Sequence, residues 1–162
     1  MTKWILFLML LLEPKSPHRA TFDATAAAIA KVAADSPLFA GPLGADRTAA
    51  LMVSVAWFES RFQPDAVGDG KHSYCAFQIN DSNFKALGVT KDDLQRDVLA
   101  CARAAREMMR RSIQACAQRG GDDILNHYAV GGDGCADSEK GRHRVRKARW
   151  LLANHPRPKD EP

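Results

Sequence analysis

Glu59 has the clearest setting for acid catalysis in this sequence, within the segment AWFESRFQP. It is predicted to lie in the last turn of a helix, among the aromatic residues Trp57, Phe58 and Phe62. The negative end of the helix dipole disfavours a carboxylate and the aromatic side chains exclude water, so both raise the pKa of this group. A carboxylic acid that stays protonated near neutral pH can protonate the leaving oxygen of a glycosidic bond. Taken alone, a Glu at a helix end is usually a surface residue, so the assignment depends on other motifs.

Two later segments, YCAFQIN at 74–80 and HYAVGG at 127–132, contain side chains suited to holding a polar ligand. Gln78 offers both a hydrogen-bond donor and an acceptor, which suits a sugar hydroxyl or an N-acetyl group. Tyr128, taken alone, is typical of a core tyrosine whose hydroxyl has a partner. Phe77 and Ile79 are more typical of a core than of a binding site.

The three segments, in this order, resemble the lysozyme-like lytic transglycosylases over roughly Arg47 to Trp150. The shared features are Glu-Ser at a helix end, a Pro and an Ala soon afterwards, an aromatic-Gln-Ile run and a late Tyr-x-x-Gly. The run FQIN is also similar to the corresponding stretch of c-type lysozymes. The resemblance implies a mainly α, lysozyme-like single domain, with a short β or loop segment beside a cleft that takes peptidoglycan glycan strands. It also implies that Glu59 is the catalytic residue and that these residues bind the glycan: Ser60, Phe77, Gln78, Asn80 and Tyr128.

The sequence departs from the family pattern in two places. Cys75 and Ala76 stand where many members of the family carry a Gly, and Ala129 stands where an Asn commonly follows the late Tyr. A disulfide at Cys75 would anchor this loop covalently, whereas Ala129 removes one polar contact near the acid.

The second carboxylate decides between mechanisms. In the c-type lysozyme alignment anchored on FQIN, the partner Asp falls at Ser73, which cannot act as a carboxylate. Asp65, Asp69 and Asp81 are near, but each lies in a turn-like segment where Asp is common because of local hydrogen bonds. The resemblance therefore implies that Glu59 acts alone, as acid and then as base, cutting between N-acetylmuramic acid and N-acetylglucosamine to give a 1,6-anhydromuramic product. Two alternatives stay open: a hydrolytic muramidase on the same fold, and a non-catalytic wall-binding component of a secretion or phage assembly.

Several segments with helical spacing of apolar residues must position these groups. One helix is expected from Arg47 to about Arg61, with Asp46 as its N-cap. A single long helix is expected from Lys91 to Gln118, and a basic helix is expected over residues 142–154. The stretch 63–73 is rich in Gly, Asp and Pro, which is typical of a loop.

The N-terminus begins with Lys3 and nine apolar residues, Trp4 to Leu12, in the order of a secretory signal. This apolar run is too short to span a bilayer, so no transmembrane span is expected. Residues 1–20 are therefore predicted to be a signal or N-terminal hydrophobic segment, the alternative to a signal being a short helix packed on the domain. The catalytic domain is expected over residues 21–155 and a disordered tail over 156–162. The predicted location is outside the cytoplasm, periplasmic or extracellular, at the cell wall.

Four cysteines are present, and they have neither CxxC spacing nor the His pairing of a zinc site. Two disulfides in an oxidising compartment are the favoured interpretation, with three possible pairings, and four reduced core cysteines are the alternative. One of these pairings, Cys75 with Cys101 and Cys116 with Cys135, would brace the Gln78 loop and the Tyr128 segment against the same long helix.

The composition favours anionic partners only mildly, with a formal charge of +4 and a sequence pI near 9.0. The basic run KGRHRVRKAR at 140–149 is more typical of a solvated helix face than of a nucleic-acid or wall-polymer site. The His residues are scattered, without the spacing of a metal site. We therefore expect no metal, no cofactor and no nucleic-acid partner, and we expect a monomer.

Overall fold

A computed structural model describes residues 1–131 and 134–159, so the last three residues of the predicted tail lie outside the described part. Eight α-helices and one small sheet are formed within these residues, which confirms the mainly α class and the short β segment. The elements are α1 Thr2–Leu12, α2 Phe22–Asp35, α3 Gly44–Ser60, β1 Val67–Gly68, β2 Ser73–Tyr74, β3 Ile79–Asn80, α4 Phe84–Leu87, α5 Lys91–Arg96, α6 Val98–Ala115, α7 Asn126–Val130 and α8 Glu139–Asn154.

Helix α3 runs through the middle of the core and packs against α1, α2 and α8. Its residues are buried almost all round, from Thr48 to Ala56, as expected for a helix enclosed by others. It begins three residues before the expected Arg47, at Gly44, where a Cβ would lie 2.1 Å from the Phe39 carbonyl oxygen. The prediction that Asp46 caps this helix is wrong, because Asp46 lies inside the first turn and accepts a hydrogen bond from Arg157 Nε at 2.9 Å.

The N-terminal apolar segment forms α1, which packs against α2 and α3. Ile5, Leu8 and Met9 are fully buried there. The indole N–H of Trp4 donates to the carbonyl oxygen of His155 at 2.8 Å, so α1 also contacts the end of α8. Within the described ranges, no helix has the length and apolar character needed to cross a membrane.

The prediction of one helix from Lys91 to Gln118 is wrong, because the chain breaks at Asp97 between α5 and α6. Asp97 adopts extended backbone angles, and its carboxylate accepts hydrogen bonds from the N–H groups of Leu99 and Ala100. It is therefore the N-cap of α6, and the competing local hydrogen bonds of Asp outweigh the helical periodicity. Helix α6 ends at Ala115.

The sheet is antiparallel with the order β1, β2, β3, so the predicted loop at 63–73 contains β1 and the first residue of β2. Ser73 of the middle strand pairs with Gly68 on one side and with Asn80 on the other. Residues 75–78 connect β2 to β3, and both Cys75 and Gln78 adopt positive φ angles there, of 63° and 50°. This connection places Gln78 at one wall of a cleft.

Both disulfides of the bracing pairing are present, Cys75 with Cys101 and Cys116 with Cys135. The first ties the connection between β2 and β3 to α6. The second ties the end of α6 to the segment that precedes α8. The expected covalent anchor at Cys75 is thereby confirmed.

Replacing Cys75 and Cys101 together with Ala should lower the free energy of unfolding by about 3 kcal/mol. The bond closes a loop with a sequence separation of 26 residues, and its loss frees that loop in the unfolded chain. Urea unfolding of the oxidised proteins measures the change. The Cys116–Cys135 pair, with a separation of 19, provides the matched comparison and should give a similar loss. An unchanged midpoint for both double variants would contradict the prediction.

Candidate active site

A cleft of about 540 Å³ opens between the end of α3, the sheet, and the α7 and α8 helices. It collects residues that are far apart in the sequence, including Glu59 and several of the predicted glycan-binding residues. The cleft is lined by Glu59, Asp69, Ser73, Gln78, Asn80, Ser82, Asn83, Met108, His127, Tyr128, Ala129, Val130, Gly131, Lys140 and Arg144.

Glu59 is the next-to-last residue of α3, and its side chain is only 16% exposed. The helix ends there because Arg61 and Phe62 both adopt left-handed backbone angles, with φ of 55° and 66°. Such angles cost about 1 kcal/mol or more for a residue with a side chain. The burial of Phe62, which packs edge to face on Phe22 at 5.3 Å between ring centroids, offsets this cost. The position of Glu59 at the cleft floor is thus set by packing immediately after the helix.

The pKa of Glu59 is raised from its ordinary value, mainly because burial disfavours the carboxylate. The charge and hydrogen bonds of Arg144 act in the opposite direction, and Lys140 adds a smaller opposing effect. The negative charge of Asp69 raises the pKa further. Burial and Asp69 together outweigh the two cations, so their net effect on the Glu59 pKa is upward.

Arg144 is the main residue of the site that the sequence analysis missed. Its Nε and Nη2 both donate to Glu59 Oε1, at 3.0 and 2.6 Å. Its Nη1 donates to the carbonyl oxygen of Lys140 at 2.7 Å, and its guanidinium lies 5.8 Å from the centroid of the Phe58 ring. The guanidinium is therefore held on several sides and forms a fixed contact with the acid.

A signal for Arg144 was present in the sequence. The interpretation of 140–149 as a solvated helix face is wrong for this residue, whose side chain is 8% exposed. Arg144 lies on the helical stripe that α8 buries in the core. Charged residues are seldom buried, so a charge on such a stripe indicates a side chain with a specific partner. The buried stripe consists of Gly141, Arg144, Val145, Ala148 and Leu151.

Two of the predicted glycan-binding residues serve as links within the cleft wall. Ser60 Oγ donates to the carbonyl oxygen of Ala76 at 2.8 Å, which joins the end of α3 to the connection between β2 and β3. The side chain of Phe77 is buried in the core, in agreement with the core interpretation. Neither residue is among those that line the cleft.

The remaining three, Gln78, Asn80 and Tyr128, line the cleft. Gln78 Nε2 donates to the carbonyl oxygen of Cys75 at 3.0 Å, and its Oε1 lies over Gly68, where a Cβ would be only 2.1 Å away. The Tyr128 hydroxyl donates to the carbonyl oxygen of Phe77 at 2.8 Å. The pKa of Tyr128 is raised well above its ordinary value by burial and by the charge of Glu59, so its hydroxyl stays protonated.

The sheet contributes one carboxylate to the cleft. Of Asp65, Asp69 and Asp81, all within the described ranges, Asp69 is the one that lines it. Ser73, which stands where the lysozyme partner Asp was expected, donates its hydroxyl to Asp69 Oδ2 at 2.6 Å. Asp81 instead contacts His72 Nδ1 at 2.8 Å on the surface.

The late motif HYAVGG is described up to Gly131, and its last residue, Gly132, lies outside the described part. Ala129, at the position where an Asn is common, lines the cleft. His127 Nδ1 contacts the carbonyl oxygen of Gly134 at 2.8 Å.

A comparison with known families finds a match to the family described as the transglycosylase SLT domain, over residues 45–148. The matched range begins in α3 and ends in α8, so it contains Glu59, the sheet, Tyr128 and Arg144. A comparison with curated proteins finds no match.

Replacing Arg144 with Gln should raise the pKa of Glu59, because Arg144 lowers it through charge and hydrogen bonds. Carbon-13 NMR of labelled Glu carboxyl groups, followed over pH, measures the change directly. Arg142 provides the matched control, since it lies on the same helix but pairs with Asp123, Asp137 and Glu139. Arg142→Gln should leave the Glu59 titration where it is, and a lowered Glu59 pKa in Arg144→Gln would contradict the assignment.

Proposed function

The chain belongs to the transglycosylase SLT domain family, and we propose that it is a lytic transglycosylase that cuts peptidoglycan between N-acetylmuramic acid and N-acetylglucosamine. Members of this family are glycan-cleaving enzymes of the cell wall, and the mainly α, lysozyme-like fold agrees with that membership. The observation that carries the proposal for this chain is the buried Glu59, held by Arg144 at the floor of a polar cleft.

In the proposed reaction, Glu59 first acts as the acid. Its carboxyl proton passes to the glycosidic oxygen, the bond from that oxygen to C1 of the muramic acid breaks, and the N-acetylglucosamine side leaves with a hydroxyl group. Positive charge then develops at C1 of the muramic acid. Glu59, now a carboxylate, takes the proton of the sugar's own 6-hydroxyl, and that oxygen bonds to C1 to close the 1,6-anhydro ring.

The contact with Arg144 suits a residue that serves as both acid and base. Burial favours the protonated form, whereas Arg144 favours the carboxylate that remains after proton donation. Both Arg144 contacts are made with Oε1, so Oε2 stays available for proton transfer with the substrate. Gln78, Asn80 and Tyr128 line the same cleft as Glu59 and supply polar groups to the glycan.

A hydrolytic muramidase is the second candidate, and the presence of Asp69 in the cleft favours it. Lysozyme-type hydrolysis uses two carboxyl groups, one on each side of the scissile bond. In that case water, rather than the 6-hydroxyl, would capture C1 and leave a reducing end.

Replacing Glu59 with Gln should reduce the rate at which purified sacculi are cleaved by about 10²-fold to 10⁴-fold, since the amide cannot donate or accept the proton. Release of soluble muropeptides measures the rate, and mass spectrometry of the parent digest should show anhydromuramic ends, lighter by one water molecule. Reducing ends alone would favour the muramidase.

Two further measurements complete this test. Asp65→Asn is the matched control, because Asp65 is an exposed carboxylate on the segment after α3, and it should keep full activity. Binding of Glu59→Gln to sacculi should survive. Undiminished cleavage by Glu59→Gln would rule out Glu59 as the acid, and a parent that binds without cleaving would indicate a wall-binding component.

We also propose that the protein works outside the cytoplasm, where its substrate lies and where its two disulfides persist. Residues 1–20 fused to alkaline phosphatase, which is active only when exported, should give active reporter. Leu8→Glu in the same fusion interrupts the apolar run and should abolish that activity. An inactive parent fusion would contradict an export function for this segment and leave the packing of α1 as its role.

A further inference from the structure

Asp69 lies on the wall of the cleft that the sheet forms. It lies in the turn between β1 and β2 and adopts a left-handed backbone angle, with φ of 50°. The register of β1 and β2 pairs Gly68 with Ser73, so Asp69, which follows Gly68, lies close to the middle strand β2. The turn therefore presents the Asp69 carboxylate to the cleft from a defined point on the sheet.

A hydrogen bond to a buried side chain fixes the carboxylate. Ser73 Oγ donates to Asp69 Oδ2 at 2.6 Å, and Ser73 is only 1% exposed. Asn80 Nδ2 lies 3.5 Å from the same Ser73 oxygen, on the neighbouring strand. Hydrogen bonds to an ionised group are short and strong, so this contact orients Asp69.

The charges of the cleft are divided between its walls. Lys140 and Arg144, the cationic Lys and Arg residues of the lining, are both on α8, whereas the sheet contributes Asp69. Asp69 and Glu59 face the same space closely enough for the charge of Asp69 to act on Glu59. A sugar ring bound beside Glu59 would thus have a fixed negative charge on the sheet side.

We propose that Asp69 stabilises the positive charge that develops on the muramic acid ring during cleavage, and that Ser73 positions it for this. The inference rests on the proposed glycan cleavage. The transition state of glycoside cleavage has oxocarbenium character, and a fixed charge aimed at developing charge is an effective means of lowering the barrier. No covalent bond to Asp69 forms. The carboxylate that is absent at position 73 is supplied by Asp69, four residues earlier, and Ser73 holds it.

Asp69→Asn, which keeps the shape and removes the charge, should lower kcat on soluble uncrosslinked glycan strands by about 10²-fold to 10³-fold, as for loss of one preorganised electrostatic contact. KM should change little, because the charge on the ring develops only in the transition state. The alkaline limb of the pH–rate profile should move to lower pH, since Asp69 raises the pKa of Glu59. Asp65→Asn, with the same charge change outside the cleft lining, should match the parent in all three measurements.

The role of Ser73 is separated from a general effect on folding by a double-mutant cycle. Ser73→Ala should lower kcat in the protein that still carries Asp69 and should have little further effect in Asp69→Asn. Thermal unfolding of each variant checks that the protein is folded before the kcat values are compared. Equal losses from Ser73→Ala in both backgrounds would overturn the positioning role.

Failure of this inference can be told apart from failure of the proposed function. If Asp69→Asn keeps kcat within about twofold of the parent while Glu59→Gln is inactive, the role of Asp69 is overturned and the cleavage stands. If Asp65→Asn loses as much activity as Asp69→Asn, the effect is one of net charge and the inference is also overturned. Anhydro products from the parent, together with the selective loss in Asp69→Asn, support both.

Discussion

The buried ion pair between Glu59 and Arg144 joins α3 and α8, two of the elements that form the cleft. Removing two charges from water costs several kcal/mol per ion, so such a pair persists only with good geometry and further hydrogen bonds. Arg144 meets this condition with two donors on one carboxylate oxygen and a third on the Lys140 carbonyl. Ser54 Oγ, in the middle of α3, donates to the carbonyl oxygen of Arg144 at 2.7 Å. This bond is a second link between α3 and α8. Glu59 therefore has a buried environment, which favours its protonated form, and a cationic partner, Arg144, which stabilises its carboxylate.

The sheet wall depends on the short connection between β2 and β3, residues 75–78, which is attached to three helices. Ser60 bonds to it from α3, Tyr128 bonds to it from α7, and the Cys75–Cys101 disulfide ties it to α6. These links explain why residues with side chains adopt positive φ angles there at a cost of about 1 kcal/mol each. The cleft is consequently organised before substrate binds, which is what electrostatic catalysis requires.

Prediction from the sequence succeeded where one segment carries its own signal. The FES, FQIN and late tyrosine motifs predicted the family, and the cysteines predicted two disulfides. Prediction failed where local hydrogen bonds outweigh the helical spacing of apolar residues. At Asp97 the side chain caps α6 and divides the expected long helix. The hydroxyl of Ser60 donates to a backbone carbonyl that only the folded chain brings near, and its role in glycan binding stays a prediction.

The sequence by itself determined the fold class, the acid Glu59 as a candidate and the polar residues Gln78, Asn80 and Tyr128, because each belongs to a local pattern. The tertiary structure alone decided the partners of that acid. Arg144 is separated from Glu59 by 85 residues and Asp69 reaches it across a cleft, so their effects depend on distances and burial that no local spacing specifies. Charge interactions weaken with distance and strengthen when water is excluded, and both conditions arise only once α3, α8 and the sheet enclose the same space.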